Sequence, residues 1–340
     1  MNISAGRPMK ALVYEGPRVL TLREAEVPVP AEDEVLIRVE RAGICGSELS
    51  GYLGHNSLRK PPLVMGHEFA GTVEAAGARA GRFRSGDRVT ANPLVSCGRC
   101  RACLAGDGQL CPQRVLVGAG RPGAYAEYVA VPERNVYRLP DGMGMAEGAL
   151  VEPLACAVHI GRLASLAPWD RLFIAGAGPI GLLVLAAARR FGLTDIVVMD
   201  INRSRLDIVR ELGGQAAANP EELRRLVPDG GFDAAVDAVG LEATRRACME
   251  AVRPGGRIVL SGLHAADSSL PVNLAIRSEL TLLGAFAYRP LDFELALDWL
   301  AQGLVDLSPW TETAPLEEGQ ACFEKLLSDP GRTAKILLSV

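Results

Sequence analysis

The sequence predicts an α/β protein with two domains, one built on a doubly wound parallel sheet and one rich in β-strands. Between residues 172 and 285, apolar strand-like and helix-like segments alternate, as they do in a parallel sheet with crossover helices. Before residue 145, short β-branched segments follow one another with Pro- and Gly-rich breaks instead. A chain of 340 residues is long enough to form two cores.

The N-terminal half is predicted to be β-rich from residue 9 onward, after a loose leader formed by residues 1–8. The predicted strands are 9–14, 19–23, 35–39, 71–74, 88–91 and 126–131. One long loop, 93–120, interrupts this series. A helix over 147–166 is expected to lead into the second domain, because the apolar spacing becomes helical there.

The second half is predicted from the alternation of apolar segments. Its strands are 172–175, 196–200, 233–238, 257–261 and 280–285, and its helices are 180–191, 204–212 and 242–252. After Pro290 we expect helices over 293–301 and 318–327, a loop through 310–315 between them, and a last strand, 336–340. These last pieces resemble the β-rich half. We therefore expect a discontinuous first domain, 1–155 with 292–340, and a second domain, 156–291.

A glycine-rich turn follows the first strand of the second domain. Gly176, Gly178 and Gly181 form a G-x-G-x-x-G pattern that also includes Pro179 and Ile180. The first glycine permits a tight turn, the second lets a pyrophosphate approach the backbone, and the third lets helix and strand pack closely. The free N–H groups at the start of the helix then bind the phosphates, so we expect a dinucleotide site.

The nucleotide preference is predicted from Asp200, which ends the next strand 19 residues after Gly181. A carboxylate at this place accepts hydrogen bonds from the adenosine ribose and repels a 2′-phosphate, which favours NAD over NADP. Arg205 either covers the adenine or only begins a helix. Together with Arg203 it leaves some room for NADP.

Composition excludes several classes of partner. The net charge is −4, with 36 basic and 40 acidic residues, so neither nucleic acid nor an anionic membrane is expected to bind. The first ten residues lack the apolar segment of a signal peptide, and no apolar run reaches the length of a membrane span. We therefore expect a cytoplasmic protein, in which eight cysteines indicate metal binding or catalysis more than disulfides.

The strongest local signal is a loop with four cysteines, Cys97, Cys100, Cys103 and Cys111. Four thiolates at this spacing can complete a tetrahedral zinc shell without water. The alternative is four free or disulfide-prone cysteines on a surface loop, which would be a liability in a cytoplasmic protein. We expect a structural zinc that holds the loop and does not react.

A second, dispersed set consists of Cys45, the neighbours His67 and Glu68, and Glu152. A catalytic zinc takes three protein ligands and keeps one position open, which a thiolate, an imidazole and a carboxylate would satisfy. Each residue also has an ordinary interpretation: Cys45 as a small core residue, His67 as half of a structural pair, and Glu152 as a charge at a helix start. Spacing alone does not join them.

Taken in order, these motifs resemble those of the zinc-dependent medium-chain dehydrogenases. The similarity covers residues 9–340, and Glu152 stands where liver-type alcohol dehydrogenases carry a ligating cysteine, as in the branch of sorbitol, threonine and galactitol-phosphate dehydrogenases. The matching motifs are Gly43-Ile-Cys-Gly-Ser, Gly66-His-Glu, Gly86-Asp-Arg-Val, the four-cysteine loop, Val151-Glu-Pro-Leu and the Gly176 turn.

The resemblance implies a GroES-like catalytic domain, a Rossmann domain that binds NAD, and two zinc ions per chain. It implies that Cys45, His67 and either Glu68 or Glu152 surround the catalytic zinc, with the two carboxylates possible exchange partners. Zinc would polarise the substrate hydroxyl, Ser47 would take its proton through a hydrogen bond, and the alkoxide carbon would pass hydride to NAD.

The implied substrate is a secondary alcohol, such as a polyol, sugar or cyclitol. A threonine-type amino alcohol and a phosphorylated alditol are the alternatives among enzymes. An alternative from another functional class is a non-catalytic NAD-binding protein with the same fold. Relatives are dimers or tetramers that commonly pair through the late strand, here 280–285, so a homo-oligomer is expected.

Some positions depart from the family pattern. Ser50 stands where many relatives have a relay histidine, which leaves His55 or water as the route for the proton. Glu48 stands where relatives usually have aspartate.

Two further features concern the substrate. Ala287-Tyr288 stands at the place of an Arg-Tyr pair that contacts polyol in sorbitol dehydrogenases, and Tyr52 and Tyr288 are candidates for the substrate pocket. Arg59 and Lys60 could indicate an anionic substrate, but we interpret them as a solvated basic pair.

Overall fold

A computed structural model describes residues 7–340, which divide into two units. Unit 1 contains the chain up to Glu152 and again Arg289–Val340, and unit 2 is Pro153–Tyr288. The predicted domain boundaries lie three residues later at each crossing. Of the predicted leader, residues 1–6 lie outside the described part, and Pro8 already begins the first strand.

The elements of the described residues are as follows. The strands are β1 (Pro8–Gly16), β2 (Val19–Glu26), β3 (Glu34–Gly43), β4 (Leu63–Val64), β5 (Glu68–Ala76), β6 (Arg88–Ala91), β7 (Leu94–Val95), β8 (Val115–Leu116), β9 (Tyr128–Pro132), β10 (Val136–Arg138), β11 (Leu172–Ala175), β12 (Ile196–Met199), β13 (Gln215–Ala217), β14 (Phe232–Asp237), β15 (Val252–Leu260), β16 (Thr281–Gly284), β17 (Thr311–Pro315) and β18 (Lys335–Ser339). The helices are α1 (Gly46–Tyr52), α2 (Arg101–Leu104), α3 (Met145–Leu163), α4 (Pro179–Arg190), α5 (Arg203–Glu211), α6 (Pro220–Leu226), α7 (Glu242–Ala251), α8 (Val272–Arg277), α9 (Pro290–Ala301) and α10 (Gly319–Ser328).

Unit 1 is organised around β3. This strand lies in a sheet with the order β10-β6-β5-β3-β18-β17 and also pairs with β9. Both of its faces are buried: Val35, Ile37 and Val39 pack into the main core, whereas Leu36 packs into a smaller core against β1 and β9. Because side chains alternate between the faces of a strand, one strand contributes to both cores.

Unit 2 is a parallel sheet with the order β13-β12-β11-β14-β15-β16. Numbered within the unit, this order is 3-2-1-4-5-6, the Rossmann order. All four residues of β11, Leu172–Ala175, are fully buried, which explains why the strand is apolar throughout and does not alternate. The crossover direction reverses between β11 and β14, so ligands are expected at the carboxyl ends of these two strands.

The fold class predicted from the sequence is confirmed, but one predicted loop is wrong. Residues 311–315, placed in a loop, form β17, which pairs in parallel with β18. This strand lies at the edge of its sheet and its residues are half-buried or exposed, so it carries no apolar signal. The short elements α1, α6, α8 and β13 were also not predicted. Within residues 7–340, no helix is both long and apolar enough to cross a membrane.

Candidate active site

The first site in unit 1 is assembled where β3 ends and β5 begins. These strands pair in antiparallel fashion, so that Gly43 lies opposite Glu68. Cys45, which precedes α1, therefore comes close to His67 and Glu68, and the ligand atoms of these three residues all lie within 4.8 Å of one another. Gly43 is required here because a Cβ at that position would overlap the Glu68 carboxylate.

Glu48 orients the imidazole of His67. Its Oε1 lies 2.9 Å from His67 Nδ1, so that Nε2 remains available to a metal. The same carboxylate accepts hydrogen bonds from the backbone N–H groups of Gly66 (2.7 Å) and Cys45 (3.1 Å) and from the Tyr125 hydroxyl. One fully buried carboxylate thus holds both segments that carry the candidate ligands.

The pKa of Glu48 reflects these contacts. Burial raises this pKa, but the positive charges of His67 and Arg59 and the hydrogen bonds from His67 and Tyr125 outweigh burial and lower it to about 2. Burial and the charge of Glu48 raise the pKa of Tyr125 well above its usual value. Glu48 is therefore an ionised acceptor at neutral pH, and Tyr125 remains a protonated donor.

Lys335, on β18, is a residue of this site that the sequence did not reveal. Its Nζ lies 2.7 and 2.8 Å from the two carboxylate oxygens of Glu68 and donates to the carbonyl oxygen of Ile44 at 3.0 Å. The lysine and glutamate side chains are each 1% exposed. Burial lowers the pKa of Lys335, but the negative charges of Glu68, Cys45 and Glu152 outweigh it and raise the pKa. The only sequence signal was a lysine beginning an apolar strand.

Glu152 is buried in α3, but it does not belong to the group of ligand atoms within 4.8 Å of one another. Its charge nevertheless acts on Lys335, so it lies in the electrostatic surroundings of the site. The structure thus brings Cys45, His67 and Glu68 together and places Glu152 outside that group. The choice between the two carboxylates as zinc ligand stays a prediction.

The Ser47 hydroxyl lies beside the candidate ligand Cys45. Its Oγ donates to Cys45 Sγ at 3.3 Å and accepts a hydrogen bond from Arg59 at 3.1 Å. The interpretation of Arg59 and Lys60 as a solvated pair is wrong for the arginine: Lys60 is exposed, but Arg59 is only 4% exposed. The arginine stem lies against Gly51 of α1, where any Cβ would overlap it.

The second site in unit 1 is the four-cysteine loop. The sulfur atoms of Cys97, Cys100, Cys103 and Cys111 lie within 4.8 Å of one another, and the antiparallel pair β7–β8 closes the loop at its base. The Sγ–Sγ distances are 3.5 Å for Cys100–Cys103 and 3.9 Å for Cys97–Cys103. Zinc–sulfur bonds of about 2.3 Å place the corners of a tetrahedron about 3.8 Å apart, so these thiols fit a zinc ion.

Backbone N–H groups favour the thiolate form in this loop. Hydrogen bonds from the N–H groups of Arg99 and Cys100 lower the pKa of the Cys97 thiol to about 6. At Cys100 the backbone hydrogen bond from Cys103 also lowers the pKa, but side-chain hydrogen bonds with the other cysteines and burial outweigh it and raise this pKa to about 11. The thiolate form that binds metal is therefore favoured at Cys97 and not at Cys100.

The glycine turn of unit 2 has the geometry that its sequence requires. Gly176 has φ of +104°, which favours glycine, and a Cβ on Gly181 would overlap the carbonyl oxygen of Gly176. Around Gly178, no atom lies within 4 Å of where a Cβ would be, so this part of the backbone is open. The turn leads directly into α4, whose first N–H groups are unpaired by the helix itself.

Asp200 follows β12 and holds the same turn. Its Oδ2 accepts the N–H of Ala177 at 2.6 Å, and its Oδ1 accepts the N–H of Asn202 at 2.7 Å. Each carboxylate oxygen can accept a second hydrogen bond, which leaves capacity for a ribose. Burial lowers the pKa of Arg205, whereas the charge of Asp200 raises it, so the two side chains lie near each other.

Comparison with known proteins gives consistent matches along the chain. Residues 31–141 match the family model "Alcohol dehydrogenase GroES-like domain", and residues 179–302 match "Zinc-binding dehydrogenase". The sorbitol dehydrogenase of Bacillus subtilis (strain 168) is 33% identical, and the alignment covers 99% of each chain. The chain belongs to the zinc-dependent medium-chain dehydrogenase family.

Two solved structures of nicotinamide-bound proteins are also similar to this zinc-dependent dehydrogenase. The alcohol dehydrogenase rspB of Escherichia coli CFT073, complexed with NADH, has a TM-score of 0.92 at 28% identity and covers 98% of this chain and 100% of its own. A zinc-binding dehydrogenase of Sinorhizobium meliloti 1021, bound to NADP, has a TM-score of 0.90 at 29% identity with the same coverage.

The donor set of this dehydrogenase fits the metal of its family. Cys45, His67 and Glu68 offer one sulfur, one nitrogen and one oxygen, which is a three-ligand set with a fourth position left for substrate. The four cysteines offer a complete shell with no such position. The two sites therefore differ in chemistry, one open and one closed.

One prediction about the substrate side needs revision. The dehydrogenase does not offer Tyr52 to a pocket, because this ring is fully buried and its hydroxyl contacts Glu324 at 2.6 Å and the carbonyl oxygen of Arg18 at 3.0 Å. Tyr288 is buried too, and its place in a substrate pocket stays a prediction. His55, one of two proposed proton routes, has an exposed side chain.

Proposed function

We propose that this protein oxidises a secondary alcohol of a polyol, sugar or cyclitol and transfers the hydride to NAD. The observation that carries the proposal is the group formed by Cys45, His67 and Glu68, with the Ser47 hydroxyl 3.3 Å from the cysteine sulfur. The polyol class is supported by the sorbitol dehydrogenase that is 33% identical over 99% of both chains.

The residues of unit 1 have defined tasks in this proposal. Cys45, His67 and either Glu68 or Glu152 would hold a zinc ion, which would supply Lewis acidity to polarise a substrate hydroxyl and lower its pKa. Glu48 fixes the ring of His67 with Nε2 toward the ligand position. Ser47 forms a hydrogen bond to the substrate oxygen and restrains its orientation.

The residues of unit 2 bind the cofactor in this proposal. The backbone from Gly176 to Gly181, with Pro179 and Ile180 at the start of α4, holds the pyrophosphate. Asp200 accepts hydrogen bonds from the ribose, and its charge opposes a 2′-phosphate, which supports NAD over NADP. The carbon that carries the hydroxyl gives its hydride to the nicotinamide, which is the chemistry of that cofactor.

The test is a substrate panel followed through NADH absorbance, with Cys45→Ser as the inactive control. We expect turnover of alditols, cyclitols or sugars with NAD, two zinc ions per wild-type chain and one in the folded Cys45→Ser variant. If only amino alcohols or phosphorylated alditols are oxidised, the substrate belongs to one of those classes and not to the polyols, sugars or cyclitols. Binding of NAD without turnover of any alcohol, or full activity in Cys45→Ser, would contradict the enzyme assignment.

Further proposals concern the organisation of the protein. We assign the catalytic domain to residues 1–155 and 292–340, and the NAD-binding domain to residues 156–291. We also propose that the protein is a cytoplasmic homo-oligomer, a dimer or a tetramer. The eight cysteines, none of which forms a disulfide, suit a reducing compartment, and the edge strand β16 offers a surface for association.

A further inference from the structure

Arg59 is a buried cation beside the candidate catalytic group, and the dehydrogenase assignment gives it no role. Within residues 7–340, its guanidinium forms a hydrogen bond only to Ser47 Oγ, at 3.1 Å, and its Nε has no hydrogen-bond partner. A buried arginine that serves packing usually binds several carbonyl or carboxylate oxygens. The sparse bonding of Arg59 therefore points to the Ser47 hydroxyl as the reason for its burial.

The direction of the hydrogen bonds in this group is fixed by chemistry. Arginine is always protonated and cannot accept, so the Arg59 N–H donates and Ser47 Oγ accepts. The single proton of the hydroxyl then points away from the arginine, toward Cys45 Sγ at 3.3 Å. The two hydrogen bonds therefore run in one direction, from Arg59 to Ser47 and from Ser47 to Cys45.

The charge of Arg59 changes what the Ser47 oxygen can do. A cation that donates to a hydroxyl oxygen withdraws electron density, which makes the oxygen a poorer proton acceptor and its O–H a stronger donor. A proton relay through Ser47 needs both properties, acceptance of the substrate proton and release of the serine's own proton, and the charge of Arg59 favours the second. It also needs an acceptor further along, and the position of the relay histidine in many relatives is occupied here by Ser50.

We propose that Arg59 is a positioning residue that fixes the Ser47 hydroxyl, with its single proton directed at Cys45 Sγ and its remaining acceptor site left for the substrate hydroxyl. This inference rests on the proposed alcohol oxidation for its kinetic consequences. Its structural consequence, the orientation of Ser47, does not depend on the reaction.

The test combines Arg59→Met, Arg59→Gln and Arg59→Lys with Ser47→Ala. Removing a charged hydrogen bond of this kind should lower kcat about tenfold or more in Arg59→Met, with little change in KM. Lysine keeps both charge and donor and should restore most of kcat, whereas glutamine keeps only a donor and should restore less. The matched control is Lys60→Met, which removes the exposed neighbouring cation and should leave kcat unchanged.

The decisive comparison is the double variant. If Arg59 acts through Ser47, Arg59→Met should have almost no further effect on kcat in the Ser47→Ala background. Equal losses in both backgrounds would overturn the proposal, because Arg59 would then act through another group such as Glu48. Melting temperature and zinc content identify any variant that fails to fold. If Arg59→Met fails to fold, Arg59→Gln is compared in the wild-type and Ser47→Ala backgrounds instead.

A crystal structure of Arg59→Met supplies the readout that needs no activity. We expect the Ser47 side chain to rotate, so that the Oγ–Cys45 Sγ distance of 3.3 Å is lost while Cys45, His67 and Glu68 keep their positions. An unchanged Ser47 rotamer would contradict the inference. If the wild-type protein oxidises no alcohol, the function proposed above fails, and the Ser47 rotamer still decides the role of Arg59.

Discussion

The ion pair of Lys335 and Glu68 stabilises the site only as a pair. Both side chains are 1% exposed, and removing one partner leaves a buried charge without compensation. We expect Lys335→Met to lower the free energy of unfolding by about 3–5 kcal/mol. Urea denaturation of the zinc-loaded protein measures this effect.

The matched control for this prediction is Lys325→Met. Lys325 forms an ion pair with Glu312, but these side chains are 44% and 48% exposed, so its loss should cost less than about 1 kcal/mol. If both substitutions lower the free energy of unfolding equally, the buried ion pair contributes no more to stability than the exposed one.

The carboxylate of Asp200 is expected to determine the preference for NAD over NADP. Asp200→Asn keeps an oxygen that can accept the N–H of Ala177, but it removes the charge that repels a 2′-phosphate. We expect the ratio of kcat/KM for NAD to that for NADP to fall about tenfold or more, consistent with the loss of one charged hydrogen bond. Asp207→Asn, on the exposed face of α5, is the control. An unchanged ratio would show that Asp200 does not contact the ribose.

At the scale of elements, the four-cysteine loop depends on its metal. Between β7 and β8 it contains only the short helix α2 and one turn of 3₁₀ helix, so zinc is expected to replace a core there. Cys103→Ser should lose one zinc ion per chain and lower the melting temperature, whereas Leu104→Ser, at an exposed side chain of the same loop, should change neither. Retention of both zinc ions in Cys103→Ser would remove this loop as a metal site.

Several elements of unit 2 could be predicted because they are long or wholly buried, as the helix α4 and the strand β11 are. Leu172–Ala175 was placed without error, since four consecutive apolar residues before a glycine turn leave few alternatives. The edge strand β17 and the short α6 depend on neighbours for their stability and carry little local signal.

The candidate site could be predicted only in part. The four cysteines and the glycine turn lie close together in sequence, so their spacing was informative. Tyr125, in the segment before β9, and Lys335, on β18, reach the first site from distant parts of the sequence, and nothing local marks them. Arg59 was misinterpreted because a basic residue next to Lys60 and Pro61 is usually solvated, and only the packing against Gly51 shows that it is buried.

At the scale of the whole molecule, β16 is an edge strand of the unit 2 sheet. Within the described residues it pairs only with β15, and apolar side chains on it and near it are exposed, namely Val272, Ile276, Leu282 and Phe286. Such an edge favours pairing with a second chain. We expect Leu282→Lys to shift the protein toward the monomer in size-exclusion chromatography with light scattering. Leu58→Lys, at an exposed leucine of unit 1, should leave the mass unchanged.

The pairing of β18 with β3 also sets the order of events during synthesis. Lys335 reaches Glu68 across 267 positions and Ile44 across 291, whereas the four cysteines lie within one loop. A chain emerging from the ribosome exposes the complete cysteine set while much of unit 2 is still untranslated. Glu68 acquires its counter-ion only when Lys335 has left the exit tunnel. The candidate catalytic group is therefore completed only after all of unit 2 has been translated, long after the four-cysteine loop has emerged.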